Sequence, residues 1–311
     1  MLARTADNLY WMARYMERAE NTARMLGGVY RVSLLPSGDI GSESPWENLF
    51  LSTAERDAFL ESYDTFDPGS VIAYMALDRD NPSSIRSSIW AARENVRATR
   101  HELSAELWEV INHTWLDIHA MTRQDLVDMG LYDFIEWIKE RSHLFCGMVE
   151  GTMRRGEAYG FWRLGTVLER AENTARLVAA RSSTFHRPGT APERTSDYYQ
   201  LGMLLRSVNA YKTYREIYNS SLEPKKVAEV LLLHPEMPRS LRYCLDQLCD
   251  ILDRLGNSDD GVRQANELRG RLVSGRIDRI FRTGLDGFLA DFRQQTDKLG
   301  TQIQTDFMMI R

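Results

Sequence analysis

No stretch of this chain approaches the ~20 consecutive apolar residues that a bilayer-spanning helix requires. The opening residues run straight to Arg4, Asp7 and Asn8 without the apolar core of a secretory leader. Cysteine is scarce: Cys146, Cys244 and Cys249 are odd in number and none stands at a metal-finger spacing. Reduced thiols in a bacterial-type cytoplasm are the expected setting, with no membrane partner. Gly-rich phosphate loops of either common type are missing, as is a Gly-x-Ser-x-Gly elbow. No cofactor is therefore expected, and if ATP drives any chemistry here, a partner must bind it. The net charge of -5 is modest and gives no bulk case for nucleic-acid binding. Alternating strand patterns are equally rare.

What the chain does contain is helical periodicity. Its 311 residues, 43% hydrophobic and 27% charged, are enough for two ordinary domains or one large one with a sizeable core. From Leu9, the positions Met12, Met16, Ala19, Ala23 and Leu26 recur at three- and four-residue steps, and Leu164, Leu168, Ala171, Ala175 and Val178 do the same. Ile89, Ala92, Val96, Leu103, Leu107 and Val110 predict another long helix, followed by one through Phe134, Ile138, Phe145 and Met148. Further helices are expected over Tyr198–Tyr218, Lys226–Leu233, Arg239–Leu255, Gly261–Ser274 and Leu285–Phe307. Pro36–Pro45 and Ser182–Ser196 are the clearest loops. The expected fold is all-α.

One block of eight residues occurs twice. Glu17-Arg18-Ala19-Glu20-Asn21-Thr22-Ala23-Arg24 returns unchanged as Glu169-Arg170-Ala171-Glu172-Asn173-Thr174-Ala175-Arg176. A fixed internal offset is the mark of duplication. Fainter landmarks follow in the same order: Pro68 and Pro224, Pro82 and Pro238, Ser84 and Ser240, Arg86 and Arg242, then Gly130-Leu131 and Gly284-Leu285. The sequence thus predicts two similar helical bundles, residues 1–155 and 156–311, packed as one pseudo-twofold unit.

Within each copy, Glu20 to Arg24 is a well-spaced i,i+4 pair beside the apolar arc. Arg18 lies nearly opposite that arc, among Trp11, Tyr15, Thr22 and Met25. Adjacent helical positions point ~100° apart, so Glu17 cannot readily satisfy Arg18, whose partner must come from another helix or from a ligand. Two explanations remain open. In one, each arginine pairs with a carboxylate on a neighbouring helix and the block is structural. In the other, Glu17, Glu169, Arg18 and Arg170 line a shared cleft, the arginines gripping a carboxylate or phosphate while a glutamate serves as base.

Other candidates are weaker. Glu140 and His143 have the Glu-x-x-His spacing of di-iron bundles, but the second half offers no matching histidine, and no metal is expected. His143 remains a candidate acid or base because histidine titrates near neutrality. Arg93-Glu94-Asn95 reads first as a solvated, intrahelically paired face and second as part of a site. Cys146 reads as a reduced buried cysteine rather than a nucleophile. Trp11, Trp90, Trp108, Trp115, Trp137 and Trp162 sit on apolar patterns and are expected in the core.

The opening Leu2-Ala3-Arg4-Thr5-Ala6-Asp7-Asn8-Leu9-Tyr10-Trp11, running into Glu17-Arg18-Ala19-Glu20, resembles the bacterial alpha-E family, a helical domain named for its Glu-Arg motif. Ala92-Arg93-Glu94-Asn95, Arg141-Ser142-His143-Leu144-Phe145, Thr152-Met153 and the second Glu169-Arg170 extend the resemblance over most of the chain. Ala171-Glu172 departs from the family's usual Ala-Asp. The resemblance implies work beside an ATP-grasp ligase-like protein and a transglutaminase-like protein, in a system that forms or modifies amide bonds. It adds Arg93 and Asn95 to Arg18 and Arg170 as substrate-binding candidates, beside Glu17, Glu169 and His143 as catalytic ones. The ligand would be small and anionic, amine-bearing or peptide-like. The alternative is a non-catalytic scaffold or binding subunit for the ligase, with structural Glu-Arg pairs. A homo-oligomer stands beside these as a further expected partner.

Overall fold

A computed structural model describes residues 1–34, 44–50, 55–185, 195–256 and 258–309. The expected loop over Pro36–Pro45 falls largely outside them. The described residues are helical with no strand among them. The principal helices are α1 (Ala3–Ser33), α2 (Pro68–Leu77), α3 (Ile85–Ala98), α4 (Ala105–Ala120), α5 (Leu131–Thr152), α6 (Glu157–Ala179), α7 (Thr195–Ser207), α8 (Pro224–Leu232), α9 (Leu241–Leu255), α10 (Asp259–Val273) and α11 (Leu285–Phe307). Shorter helices such as Arg123–Met129 and Tyr211–Tyr218 join them.

Local chemistry fixes where these helices begin. The Ser84 side chain accepts from the Ser87 backbone N–H and Ser240 from that of Tyr243, so both α3 and α9 start on a serine cap. Gly130 and Gly284 precede α5 and α11 with φ of 82° and 107°, a left-handed turn that a side chain would strain. Capping also corrects two readings of the periodicity. The helix expected through Ile89 to Val110 is two helices, because Ser104 accepts from the Leu107 N–H and opens a new one. The stretch Tyr198–Tyr218 breaks where Asn209 turns left-handed at φ 57°, its apolar spacing continuing across the turn. Ser182–Phe185, expected within a loop, forms a short helix.

The core is organised around α1 and α6, which pack directly on each other. Outer helices α3 and α5 lie against α1, and α9 and α11 against α6. At the α1–α6 crossing a Cβ on Gly165 would stand 2.2 Å from the Tyr10 carbonyl oxygen and 3.1 Å from the Ala13 Cβ. Only glycine admits that approach, and the approach brings the two repeated blocks within side-chain reach. Leu9, Met12, Met16, Leu164, Val167 and Leu168 fill the surroundings, each fully buried aliphatic side chain contributing roughly 1.5–3 kcal/mol. No helix of the described residues is long and apolar enough to cross a membrane. Trp162 is buried as expected, but Trp90 is 51% exposed and does not belong to the core; it lies about 100° round the helix from Ile89, off the buried face of Ile85, Ile89, Ala92 and Val96.

Candidate functional site

The two copies of the repeated block meet along the α1–α6 seam and exchange partners. Arg18 on α1 grips Glu169 on α6 with two bonds, Nε to Oε1 at 2.9 Å and a terminal nitrogen to Oε2 at 3.1 Å. Reciprocally, Arg170 on α6 donates through Nε to Glu17 Oε2 on α1 at 2.9 Å. The partner that each arginine's position demanded is therefore the other copy's glutamate.

Each block receives one further arginine from the opposite half. Arg14 on α1 bonds Glu169 Oε2 at 2.7 Å and Glu172 Oε2 at 2.5 Å, with Tyr10 Oη accepting a third bond at 3.0 Å. Arg239, immediately before α9, bonds Glu17 Oε1, Glu20 Oε1 at 2.8 Å and Asn21 Oδ1 at 2.8 Å. Intrahelical pairs finish the pattern: Arg24 Nε to Glu20 Oε1 at 2.7 Å and Arg176 to Glu172 Oε2 at 3.2 Å. Four buried carboxylates thus meet six guanidiniums, charge-assisted contacts of the strong kind.

Electrostatics follow from this geometry. Burial pushes the Glu20 carboxyl up, but Arg239, Arg24 and the Ser142 hydroxyl outweigh it and hold Glu20 at about 2. Glu169 is likewise pushed up by burial and pulled down to about 2 by Arg14 and Arg18. Glu172 moves the other way: burial, with the charges of Glu169 and Asp297 against it, raises the carboxyl despite Arg14 and Arg176. Burial also raises the Cys146 and Cys244 thiols to about 12, with the Glu17 charge adding to both. Neither thiol is poised as a thiolate nucleophile.

The remaining candidates divide. His143 stands at the edge of the lattice, Nε2 3.8 Å from Glu20 Oε1 and 3.5 Å from an Arg24 nitrogen, with its ring 62% exposed. Arg93 turns to α4 instead: Nε donates to Asn112 Oδ1 at 2.9 Å, a terminal nitrogen to Glu94 at 2.6 Å, and the guanidinium lies over Trp108. Asn95 donates back to the Ala91 carbonyl one turn earlier. Among the described residues no group of three or more His, Cys, Asp or Glu is gathered as a metal-binding set.

Sequence reasoning missed Arg14, Arg239 and Ser142, whose hydroxyl donates to Glu20 Oε2 at 2.8 Å. Counting from the caps Ser84 and Ser240, the place of Arg239 is taken by Ser83 in the first half, and at the offset of the repeated block Arg14 answers to Thr166. A search for repeated residues passes over partners that occur once. The usable signal was position: Arg14 stands three residues before Glu17 and four before Arg18, on the same face of the helix.

A helical protein organised around a buried, reciprocal Glu–Arg lattice is the class these features define. The chain belongs to the Alpha-E family, whose model, described as a predicted alpha-helical domain with a conserved ER motif, matches residues 1–308. It is 23% identical over 314 residues to an uncharacterized protein of Mycobacterium bovis, an alignment covering 94% of this chain and 34% of that protein. An uncharacterized protein of Mycobacterium tuberculosis matches with the same identity and coverage. The chain therefore spans about a third of the length of the curated relatives it matches. No solved structure matches it.

Proposed function

We propose that this chain is a binding or scaffold subunit of an amide-bond-forming or -modifying system, in which the Glu–Arg lattice locks two duplicated bundles into one rigid unit. The observation that carries this reading is the occupancy of Glu17 and Glu169. Each is at most 3% exposed, and both oxygens of each are held by arginines of the opposite half. A carboxylate so enclosed has no free edge with which to take a proton from a substrate. The duplication, with halves 1–155 and 156–311, is supported by matching burial. Leu107, Ile111, Thr114 and Ile118 of α4 recur in register as Gly261, Ala265, Leu268 and Leu272 of α10. The partner is an ATP-grasp ligase-like protein, with a transglutaminase-like protein in the same system, an expectation from the family resemblance alone, and the setting is cytoplasmic.

Native mass spectrometry of protein purified gently from its host, before and after Glu169→Gln, tests this. A defined ligase complex, together with a variant that loses thermal stability by about 3–5 kcal/mol, supports it. A variant of unchanged stability that abolishes turnover overturns it in favour of catalysis. A second reading rests on the surplus of guanidiniums. The side chains of Arg18 and Arg176 are 23% and 33% exposed, leaving outer edges that suit an anion, joined at the rim by His143. A bound anionic metabolite in the same spectra, lost in Arg176→Gln, identifies that use.

A further inference from the structure

Two matched positions on the outer layers of the halves differ in kind. Counted from the caps Ser84 and Ser240, Trp90 on α3 corresponds to Asp246 on α9; counted back from Gly130 and Gly284, Trp115 on α4 corresponds to Arg269 on α10. In the second half these positions form an ion pair, Arg269 Nε to Asp246 Oδ1 at 2.7 Å, an ordinary solvated surface. In the first half they are two indoles, Trp90 half exposed and Trp115 against His119 with ring centres 4.7 Å apart and the rings tilted by 34°. The second half closes the same surface with an ion pair, so the half-exposed Trp90 is not required there to cover the core, while Trp115 packs partly against it.

Between these indoles runs a groove of about 260 Å³ walled by Arg79, Arg86, Ser87 and His119. Arg79 and Arg86 are also the wall of a second groove, about 290 Å³, that continues to Tyr63, Met121 and Arg123. Arg86 donates only to the carbonyls of Ile118 and Met121, and among the described residues neither it nor Arg79 has a carboxylate partner. Three guanidiniums face one carboxylate, Asp78, which the Tyr63 hydroxyl already occupies at 2.9 Å. The surface is thus elongated, aromatic at one end and cationic along its length, on a chain whose net charge is negative. Tryptophan and arginine are the residues that dominate protein contacts.

We infer that the Trp90–Trp115 face docks an acidic segment of a partner protein, an aromatic or aliphatic side chain seated between the indoles and carboxylates along Arg79, Arg86 and Arg123. This deepens the scaffold reading and rests on it only in taking the chain to act by holding a partner. A displayed library of random peptides, selected on the whole chain, tests it. The control is the double variant Trp90→Asp/Trp115→Arg, which copies the ion pair of the second half and is accepted only if it stays folded by circular dichroism, beside the single variant Trp90→Asp, which exchanges the half-exposed indole alone and should keep its thermal midpoint. The expected result is enrichment of acidic peptides with one bulky apolar residue, binding at least tenfold weaker to the double variant and weakening as salt rises. Peptides that are basic, or that bind the variant equally, overturn the inference. So does an empty selection with a properly folded chain, or a homodimer in sedimentation that the double variant abolishes. Loss of the ligase complex without loss of peptide binding would sink the scaffold reading alone.

Discussion

Glu20 and Glu172 stand at the same position of an identical block, and each is bonded by one shared arginine and one arginine four residues on. Their outer neighbours differ. Glu20 receives the Ser142 hydroxyl and lies beside His143 on α5. At the same distances from the glycines that open α5 and α11, Thr296 and Asp297 replace them. Thr296 turns its hydroxyl back to its own helix, bonding the carbonyls of Phe292 and Arg293, and Asp297 adds a like charge. Burial pushes both carboxyls up; Arg239, Arg24 and Ser142 outweigh it at Glu20, whereas at Glu172 the charges of Glu169 and Asp297 add to it, so one carboxyl is held down and its twin pushed up. Identical local sequence sets which atoms enter the seam; the groups packed round them tip their charge.

The comparison breaks most severely if a shared arginine is removed. Arg239→Met and Arg14→Met should each cost about 3–5 kcal/mol by chemical denaturation, because each takes one arginine partner from two buried carboxylates. An unequal pair of losses would show that the two nests are not equivalent as supports. Substituting the twins themselves is more discriminating. Glu20→Gln should cost about 2–3 kcal/mol, having lost a strongly favoured charge, whereas Glu172→Gln should stay within about 1 kcal/mol.

Acid titration reads the same asymmetry. Glu20 and Glu169 are held near 2, below the ordinary value, so their stabilisation is complete above about pH 5 and is lost as pH falls towards 2, about 3 kcal/mol for each. Glu172 has the opposite sign: its proton binds more tightly in the folded state, so its contribution is present at low pH and fades as pH rises through its raised value. Unfolding free energy between pH 2 and 6 should therefore rise steeply in the native chain, more steeply still in Glu172→Gln, and less in Glu20→Gln. The smallest effect tests the cause. Asp297→His, copying the first half, should lower the Glu172 carboxyl measurably by carbon-detected NMR while changing stability by less than about 1 kcal/mol; no movement would show that burial and the Glu169 charge raise it without Asp297.

Much of this protein was legible in its residues. The all-α class, the paired capping landmarks and the demand of Arg18 and Arg170 for distant partners follow from helical periodicity and side-chain direction. The two merged helices and the outward Trp90 did not, because an apolar period persists across a capped turn and an apolar side chain beside the buried stripe reads as part of it. Arg93 and Asn95 share the repeated block's amide-and-charge character, yet face α4 and their own helix.

By itself, then, the sequence determined that Glu17, Arg18, Glu169 and Arg170 would lie on two equivalent helices with both arginines wanting a distant partner, since neither has a carboxylate three or four residues away. Only the tertiary structure decided that they satisfy one another. The crossing at Gly165 brings the two backbones close enough for reciprocal bonds, and Arg14 and Arg239, remote in sequence and unrepeated, enclose the carboxylates from outside. Such closure depends on distances between helices, which no local pattern encodes.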